Sequence, residues 1–342
     1  MAENRINIKQ VAERAGVSVS TVSLVLNAKG RISETTREKV KKAAKSLGFI
    51  LDRRAAQLRS GRSNLLGLVV NDISNPFFAE MAAAMEVAAF GHGYLTIIAN
   101  SNDDRDRQAQ LLEAMVGLGV EGIIVSPAVG STPEDLAVLR THALPYVVAV
   151  RDIMDMDAVF IGGEDHQSGL LATRHLLGLG HKNIAFVGGL RELSSFQRRY
   201  AGYREALKSQ GLSAREELTK LGMPTRIFGA EVGTDLLRDH PEVTAMFCYN
   251  DVVANGVCTA VRAADKTIGQ DISIVSIDNL PESEAAVPPL TTVELYPRAI
   301  GRRATTTIVT ALAKGKHSVE RVFLAPELII RKSSGPAPGC KS

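Results

Sequence analysis

Polar and aromatic side chains gather at the ends of short apolar runs in residues 65–342. Leu65-Leu66-Gly67-Leu68-Val69-Val70 ends in Asn71-Asp72, and Asn75-Pro76-Phe77-Phe78 follows. Tyr146 to Val150 runs into Arg151-Asp152, Phe247-Cys248-Tyr249 into Asn250-Asp251, and Ser276-Ile277 into Asp278-Asn279. Carboxylates, amides and guanidinium groups hydrogen-bond hydroxyls, while aromatic rings stack on the apolar face of a sugar or a base. The same residues also suit humbler roles: Asn75 a helix N-cap, Phe77 a core position, Asp251 a pairing with a nearby backbone amide.

A second set of hydrogen-bonding side chains lies near the amino end, on Ser18, Ser20, Thr21 and Ser23, interleaved with apolar Val19 and Leu24. The elements around them explain what they face. Asn7 with Gln10 forms a capping-box pattern ahead of a helix whose apolar face is Ile8, Val11, Ala12 and Ala15. Gly16 suits a tight turn, and Ser18 caps a second helix through Leu26 with Thr21 at its N3 position and Val22 and Val25 inward. A third helix is predicted from Glu34 to Leu47, capped by Ser33, stopped by Gly48 and buried through Val40, Ala43, Ala44 and Leu47. This is the spacing of a helix-turn-helix, whose second helix enters the major groove of DNA and meets base edges with its N-terminal side chains. Hydroxyls bond bases or phosphates there, and Val19 and Leu24 offer apolar contact, for instance to a thymine methyl.

Charge supports a nucleic-acid partner. Residues 1–64 carry 14 Lys and Arg against 5 Asp and Glu, whereas the whole chain has a net charge of only +3. Between the third helix and the first apolar run, Asp52 to Gly61 reads as a helix too short to be stable alone, so it is expected to fold conditionally.

From Leu65 onward, β-rich runs (LLGLVV, YLTIIAN, GIIVSP, YVVAV, NIAFVGG, AMFCYN, SIVSID) alternate with helical stretches such as Phe78 to Ala89 and Gln108 to Leu118. That alternation predicts α/β architecture with parallel sheets covered on both faces. A segment this long is expected to split into two similar lobes, with the carboxyl ends of the strands facing a cleft between them.

Several function classes are excluded. The 45% hydrophobic and 23% charged composition is that of a globular protein. No apolar run approaches the ~18 residues of a membrane span, and Met1 to Gln10 holds no signal-peptide core, so a cytoplasmic location is expected. That also disfavours an exported solute receptor. Cys248, Cys258 and Cys340 form no Cys-x-x-Cys pair, the seven histidines have no metal-ligand spacing, and no phosphate-binding Gly motif follows a strand. No catalytic residue, metal or cofactor is expected. His175 and His181, around Gly178 and Gly180, mark a helix end.

The run "IKQVAERAGVSVSTVSLVLN", followed by "RISETTREKVKKAAKSLGF" and the linker, resembles the headpiece and hinge of the LacI/GalR family of transcriptional repressors. The resemblance continues along the chain, and three stretches, VSVSTVSLVLNAKGRIS, SPAVGSTPEDL and CYNDVVANG, are similar to maltose-system repressors within it. It implies an all-α helix-turn-helix headpiece over residues 1–50, a hinge over 51–64, and a two-lobed, periplasmic-binding-protein-like effector and dimerisation domain over 65–342. Ser18, Val19, Ser20, Thr21, Ser23, Leu24 and Asn27 would contact double-stranded operator DNA. Ala55 and Leu58 would lie on the hinge helix, with Leu58 wedged into the minor groove. Asp72, Asn75, Phe77, Phe78, Arg151, Arg199, Asn250 and Asp278 would line the cleft around a small, sugar-like effector. A homodimer is expected, because a two-fold pair of headpieces reads two half-sites and the sequence carries no leucine heptad for a tetramer. The chain departs from the family at Leu24, where an arginine is common, and at Leu51, Asp52 and Ala56 in the hinge. In the effector domain it departs at Val150, where many relatives have an acid, and at Leu295, where a glutamine is common. Fewer polar partners at the last two positions imply an effector with fewer hydroxyls or different substituents.

Overall fold

The computed structural model describes residues 6–26, 30–50, 62–315 and 319–339. The chain divides into two compact units, Met1–Ser63 and Asn64–Ser342. Asn27 and the hinge positions Ala55 and Leu58 lie outside the described residues.

In the amino-terminal unit, α1 (Ile8–Ala15), α2 (Val19–Leu26) and α3 (Glu34–Leu47) have the caps their sequence calls for. Asn7 Oδ1 accepts from the Lys9 and Gln10 amides at 3.0 and 3.2 Å, while Gln10 Oε1 accepts from the Asn7 amide at 2.8 Å. Gly16 closes α1 at φ 66, a left-handed conformation that glycine adopts without strain. Ser18 Oγ then accepts from the Thr21 amide at 3.1 Å, and Ser33 Oγ from Thr36 at 3.3 Å. Val11, Ala12, Val22, Val25, Val40, Ala43 and Ala44 form the core that fixes the three helices on one another. Leu47 packs against that core from its edge.

The second unit alternates strand and helix: β1 (Leu65–Val70), α4 (Pro76–Gly91), β2 (Leu95–Asn100), α5 (Arg105–Gly117), β3 (Gly122–Val125), α6 (Ala137–Thr141), β4 (Tyr146–Ala149) and β5 (Val159–Gly163). It continues through α7 (Asp165–Gly178), β6 (Ile184–Val187), α8 (Ser194–Ser209), β7 (Thr219–Lys220), α9 (Arg226–Asp239), β8 (Ala245–Cys248), α10 (Asp251–Ala263), β9 (Ser273–Asp278), α11 (Pro281–Ala285) and β10 (Thr291–Glu294). Last come α12 (Pro297–Lys314), β11 (Arg321–Leu324) and β12 (Glu327–Ile329).

Among the described residues these strands form two sheets, ordered β11-β5-β4-β3-β1-β2 and β12-β10-β9-β8-β6-β7. Every pair in the first is parallel. The second is parallel except for β12, which returns antiparallel to β10. The chain therefore crosses between lobes three times, after β5, after β10 and between β11 and β12.

Alternating strand residues bury both faces. Leu66, Leu68 and Val70 join Met81, Met85, Ile300 and Ala304 of α4 and α12, while Val69, Ile123 and Val125 face Leu112 and Met115 of α5. In the second sheet Phe186 and Phe247 face Phe196 and Tyr203 of α8, and Ala185, Met246 and Ile274 face the α10 side.

Helices α7 and α8 approach through glycine. A Cβ on Gly202 would lie 2.2 Å from the His166 carbonyl oxygen, and one on Gly169 2.0 Å from that of Arg199. Gly202→Ala is accordingly expected to destabilise the protein by about 1–3 kcal/mol through overpacking, a loss that urea unfolding of parent and variant measures directly.

Candidate ligand cleft and DNA-reading helix

The carboxyl ends of both sheets open on one cavity of about 220 Å³. All eight expected residues, Asp72, Asn75, Phe77, Phe78, Arg151, Arg199, Asn250 and Asp278, line it.

Each lobe places an asparagine there by the same device. Asn75 Oδ1 accepts from the Phe77 amide at 3.0 Å and caps α4, and Asn250 Oδ1 accepts from the Val253 amide at 3.0 Å and caps α10. Capping uses the oxygen, so both roles are compatible: the amide nitrogens are left to donate into the cleft, and two helix N-termini flank it. Phe77 and Phe78 are core residues as well as lining residues, packed edge-to-face with ring centroids 5.6 Å apart. Asp72 Oδ1 accepts from the Ser74 amide at 2.9 Å and from its hydroxyl at 2.6 Å.

The two arginines are anchored beneath the ligand space. Arg199 donates from Nε to Asp165 Oδ1 and from Nη1 to the Tyr249 carbonyl, both at 2.7 Å, and its guanidinium lies 4.6 Å from the Tyr249 ring centroid. Burial alone would lower its pKa, but Asp165, Tyr249 and Asp278 outweigh burial, raise it and keep the group charged. Arg151 makes a bidentate pair with Asp103, at 3.1 Å from Nη2 to Oδ2. Asn71 Nδ2 donates to the same carboxylate at 3.1 Å.

Asp278 is different. It ends β9 at φ 126, is 5% exposed, and its carboxyl makes no hydrogen bond to a described residue. Burial pushes it well above the ordinary aspartate range, with Arg199 opposing. The neighbouring buried carboxylate Asp251 is fully occupied, accepting from Ser283 Oγ at 2.5 Å, Thr292 Oγ1 at 2.6 Å and the Leu280 amide at 2.9 Å, as well as from Ser276. Asp251 is a structural hub, whereas Asp278 lines the cavity.

Two expectations about the cleft need correction. Leu295 does not line the cavity: its side chain is buried in the core, over Gly163, where a Cβ would lie 2.7 Å from Leu295 Cδ2. Val150 does line it, but the acid expected beside Arg151 is replaced from a neighbouring loop by Asp103. Sequence reasoning also missed Asn102, Ser195, Met223, Pro224 and Thr225 as lining residues. Only the Asn102-Asp103-Asp104 run, one residue past YLTIIAN, signalled any of them. Ser195 Oγ and Tyr249 Oη lie 2.7 Å apart and brace the cleft floor. Among the described residues no cluster of His, Cys, Asp or Glu suits a metal ion, and no helix is long and apolar enough to cross a membrane.

In the other unit, α2 turns Val22 and Val25 inward and exposes Val19, Ser20 and Leu24, with exposed Ser18 just before it. Thr21 and Ser23 are half-buried. Ser18 Oγ lies 2.7 Å from Ser20 Oγ and 2.8 Å from Thr21 Oγ1, a compact hydroxyl cluster at the start of the helix.

A helix-turn-helix unit in one chain with a two-lobed ligand cleft defines a ligand-responsive transcriptional regulator. Residues 7–52 match the model of bacterial regulatory proteins of the lacI family, and residues 173–334 that of the periplasmic binding protein-like domain. The HTH-type transcriptional regulator DegA of Bacillus subtilis (strain 168) is 32% identical over 339 residues, covering 97% of this chain and 99% of that protein. The maltose regulon regulatory protein MalI of Escherichia coli (strain K12) is 32% identical over 301 residues, 83% of this chain and 88% of that one. The lac repressor dimer bound to operator and the anti-inducer ONPF superimposes with a TM-score of 0.85 at 25% identity, covering 97% of this chain and 100% of that one. The chain belongs to the LacI family: it is a DNA-binding transcriptional regulator with an effector domain, in a family of regulators rather than enzymes. DegA and MalI are equally identical to it, so similarity does not single out the maltose system.

Asp278 gives a pH signature. Its folded value lies above the ordinary aspartate 3.8, so the folded state holds the proton more tightly. The contribution of Asp278 to stability is therefore greatest below about pH 4 and is lost as pH rises through the folded value. Asp278→Asn removes that loss: the ligand-free variant should be more stable than the parent near neutral pH, with the difference closing below about pH 4. Urea midpoints across pH check this, and an equal or lower midpoint for the variant near neutrality contradicts it.

Proposed function

We propose that this regulator is a repressor whose operator affinity is set by a small, hydroxyl-bearing, carbohydrate-like effector held between the lobes. The observation that carries the reading is Asp278, a buried carboxyl without a hydrogen bond to a described residue, facing the same space as the amide nitrogens of Asn75 and Asn250. Its oxygens open on the cavity rather than lying unpaired in the core, so ligand hydroxyls can bond them directly. A cavity of about 220 Å³ is below the roughly 300–1,000 Å³ of drug-sized sites, which favours a single ring over a disaccharide. Val150 contributes an apolar wall, suited to a ring edge without a hydroxyl. Thermal unfolding against monosaccharides, disaccharides, sugar phosphates and nucleosides tests this. A true effector at a hundred times its Kd adds about 2.7 kcal/mol, and that gain should disappear in Asp278→Ala. Stabilisation that survives the substitution, or stabilisation only by disaccharides, overturns the reading.

Operator reading falls to Ser18, Val19, Ser20, Thr21, Ser23 and Leu24 in the major groove, and, on the family resemblance, to Asn27, Ala55 and Leu58. The regulator acts as a homodimer. The support is exposed apolar surface: Val87 and Phe90 of α4 are 70% and 66% exposed, and the edge strand β2 that α4 packs against exposes Leu95 and Ile98. Phe90→Glu is expected to yield a monomer in analytical ultracentrifugation, with operator binding weakened and effector stabilisation retained. A variant that still sediments as a dimer removes this face from the interface.

A further inference from the structure

Outside the cleft, one polar cluster joins the two lobes, and none of the roles above uses it. Asp152 lies just past β4 in the first lobe, and its side chain is only 6% exposed. Its Oδ2 accepts from Arg198 Nη2 at 2.6 Å and also from Arg321 Nη2. Its backbone amide donates to Ser194 Oγ at 2.9 Å. Ser194 and Arg198 are on α8, in the second lobe; Arg321 is on β11, in the first. Both guanidinium groups stack on one aromatic pair of the first lobe. Arg198 lies 5.1 Å from the Phe323 centroid, Arg321 lies 5.2 Å from that of Phe160, and the two rings are 5.3 Å apart.

Helical spacing ties this cluster to the cleft. Residues four apart share a helix face, so Ser194 and Arg198 reach across to the first lobe, while Ser195 and Arg199, one position on, face Tyr249 and the cleft floor. One turn of α8 therefore carries the inter-lobe contact and the arginine anchored under the ligand space.

The two arginines on Asp152 are not equivalent. When the lobes separate, Arg198 and Ser194 leave with α8, but Arg321 stays. A buried carboxylate stripped of every partner would be strongly destabilising; with Arg321 resident, the contact can open at moderate cost. We propose that Asp152, Ser194 and Arg198 form a latch that favours the closed cleft, and that Arg321 compensates the carboxylate when the latch is open. The latch sets how much of an effector's binding free energy goes into closing the lobes, and thereby the sensitivity of the regulator.

The chain contains no tryptophan, so Met223→Trp, at the cleft lining, gives a single reporter whose quenching by acrylamide reads cleft opening without any ligand. In this full-length background Arg198→Leu is expected to raise the open-to-closed ratio by about tenfold and the quenching constant with it. Arg198→Lys should restore most of the parent value. Arg321→Leu removes the partner that supports the open state, so it should lower thermal stability without raising the quenching constant. Opposite behaviour of two arginines on one carboxylate is what a latch predicts and a uniformly structural ion pair does not. Quenching unchanged in Arg198→Leu, or raised equally in both leucine variants, overturns the proposal. Because no effector enters the measurement, its failure leaves the ligand reading of the cleft untouched.

Discussion

Two parallel sheets covered by helices on both faces leave polar side chains one place to converge, the carboxyl edge of the strands. That constraint organises the whole effector domain. Leu66, Leu68 and Val70 go to one helical layer and Val69 to the other, so the first polar positions of β1 are Asn71 and Asp72, at its exit. The second sheet delivers Tyr249, Asn250 and Asp278 by the same logic. Most of these groups are satisfied internally, through helix caps and through the pairs Arg151–Asp103 and Arg199–Asp165. Asp278 is the exception. Burial disfavours its ionised form, and a ligand that supplies hydrogen-bond donors favours it.

The way the chain crosses between lobes determines how such binding can be felt elsewhere. The crossings after β5, β10 and β11 occupy only a few residues each, and Tyr296 in the second adopts φ 56. Three short tethers side by side permit hinge rotation and resist sliding. A ligand that contacts both lobes then selects among a narrow set of orientations. It can shift the equilibrium only by its differential affinity for them. Helix α8 is placed to sense that choice, with Arg199 at the cleft and Arg198 paired with Asp152 of the opposite lobe.

Much of this was legible in the sequence because it is local. Capping boxes, glycine stops and apolar runs involve neighbours in the chain, so α1, α2, α3 and the strands from β1 to β4 fall where the residue pattern puts them. Asn75 and Asn250 were legible as strand-to-helix turns for the same reason. Asp103 was not, because it enters the cleft from a loop at φ 57 and finds its arginine past the end of β4, a relation set by sheet order rather than by sequence distance. Leu295 misled because the last residues of a strand alternate in direction, and an apolar side chain there follows the core, in this case the space over Gly163. The short strands β11 and β12, half-exposed and without clean alternation, carry little local signal and are fixed by pairing with β5 and β10.

A regulator of this family works only if its cleft and its DNA-binding unit are coupled. Coupling is reciprocal, so the ligand must bind free protein and operator-bound protein with different affinities, and the ratio must equal its effect on operator affinity. The decisive measurement is calorimetric titration of the ligand into the regulator alone and into its complex with operator DNA selected from a random pool. The two Kd values are expected to differ by roughly 5- to 150-fold, the usual range of allosteric coupling. Equal values in the two titrations would contradict such coupling, whatever the ligand proves to be.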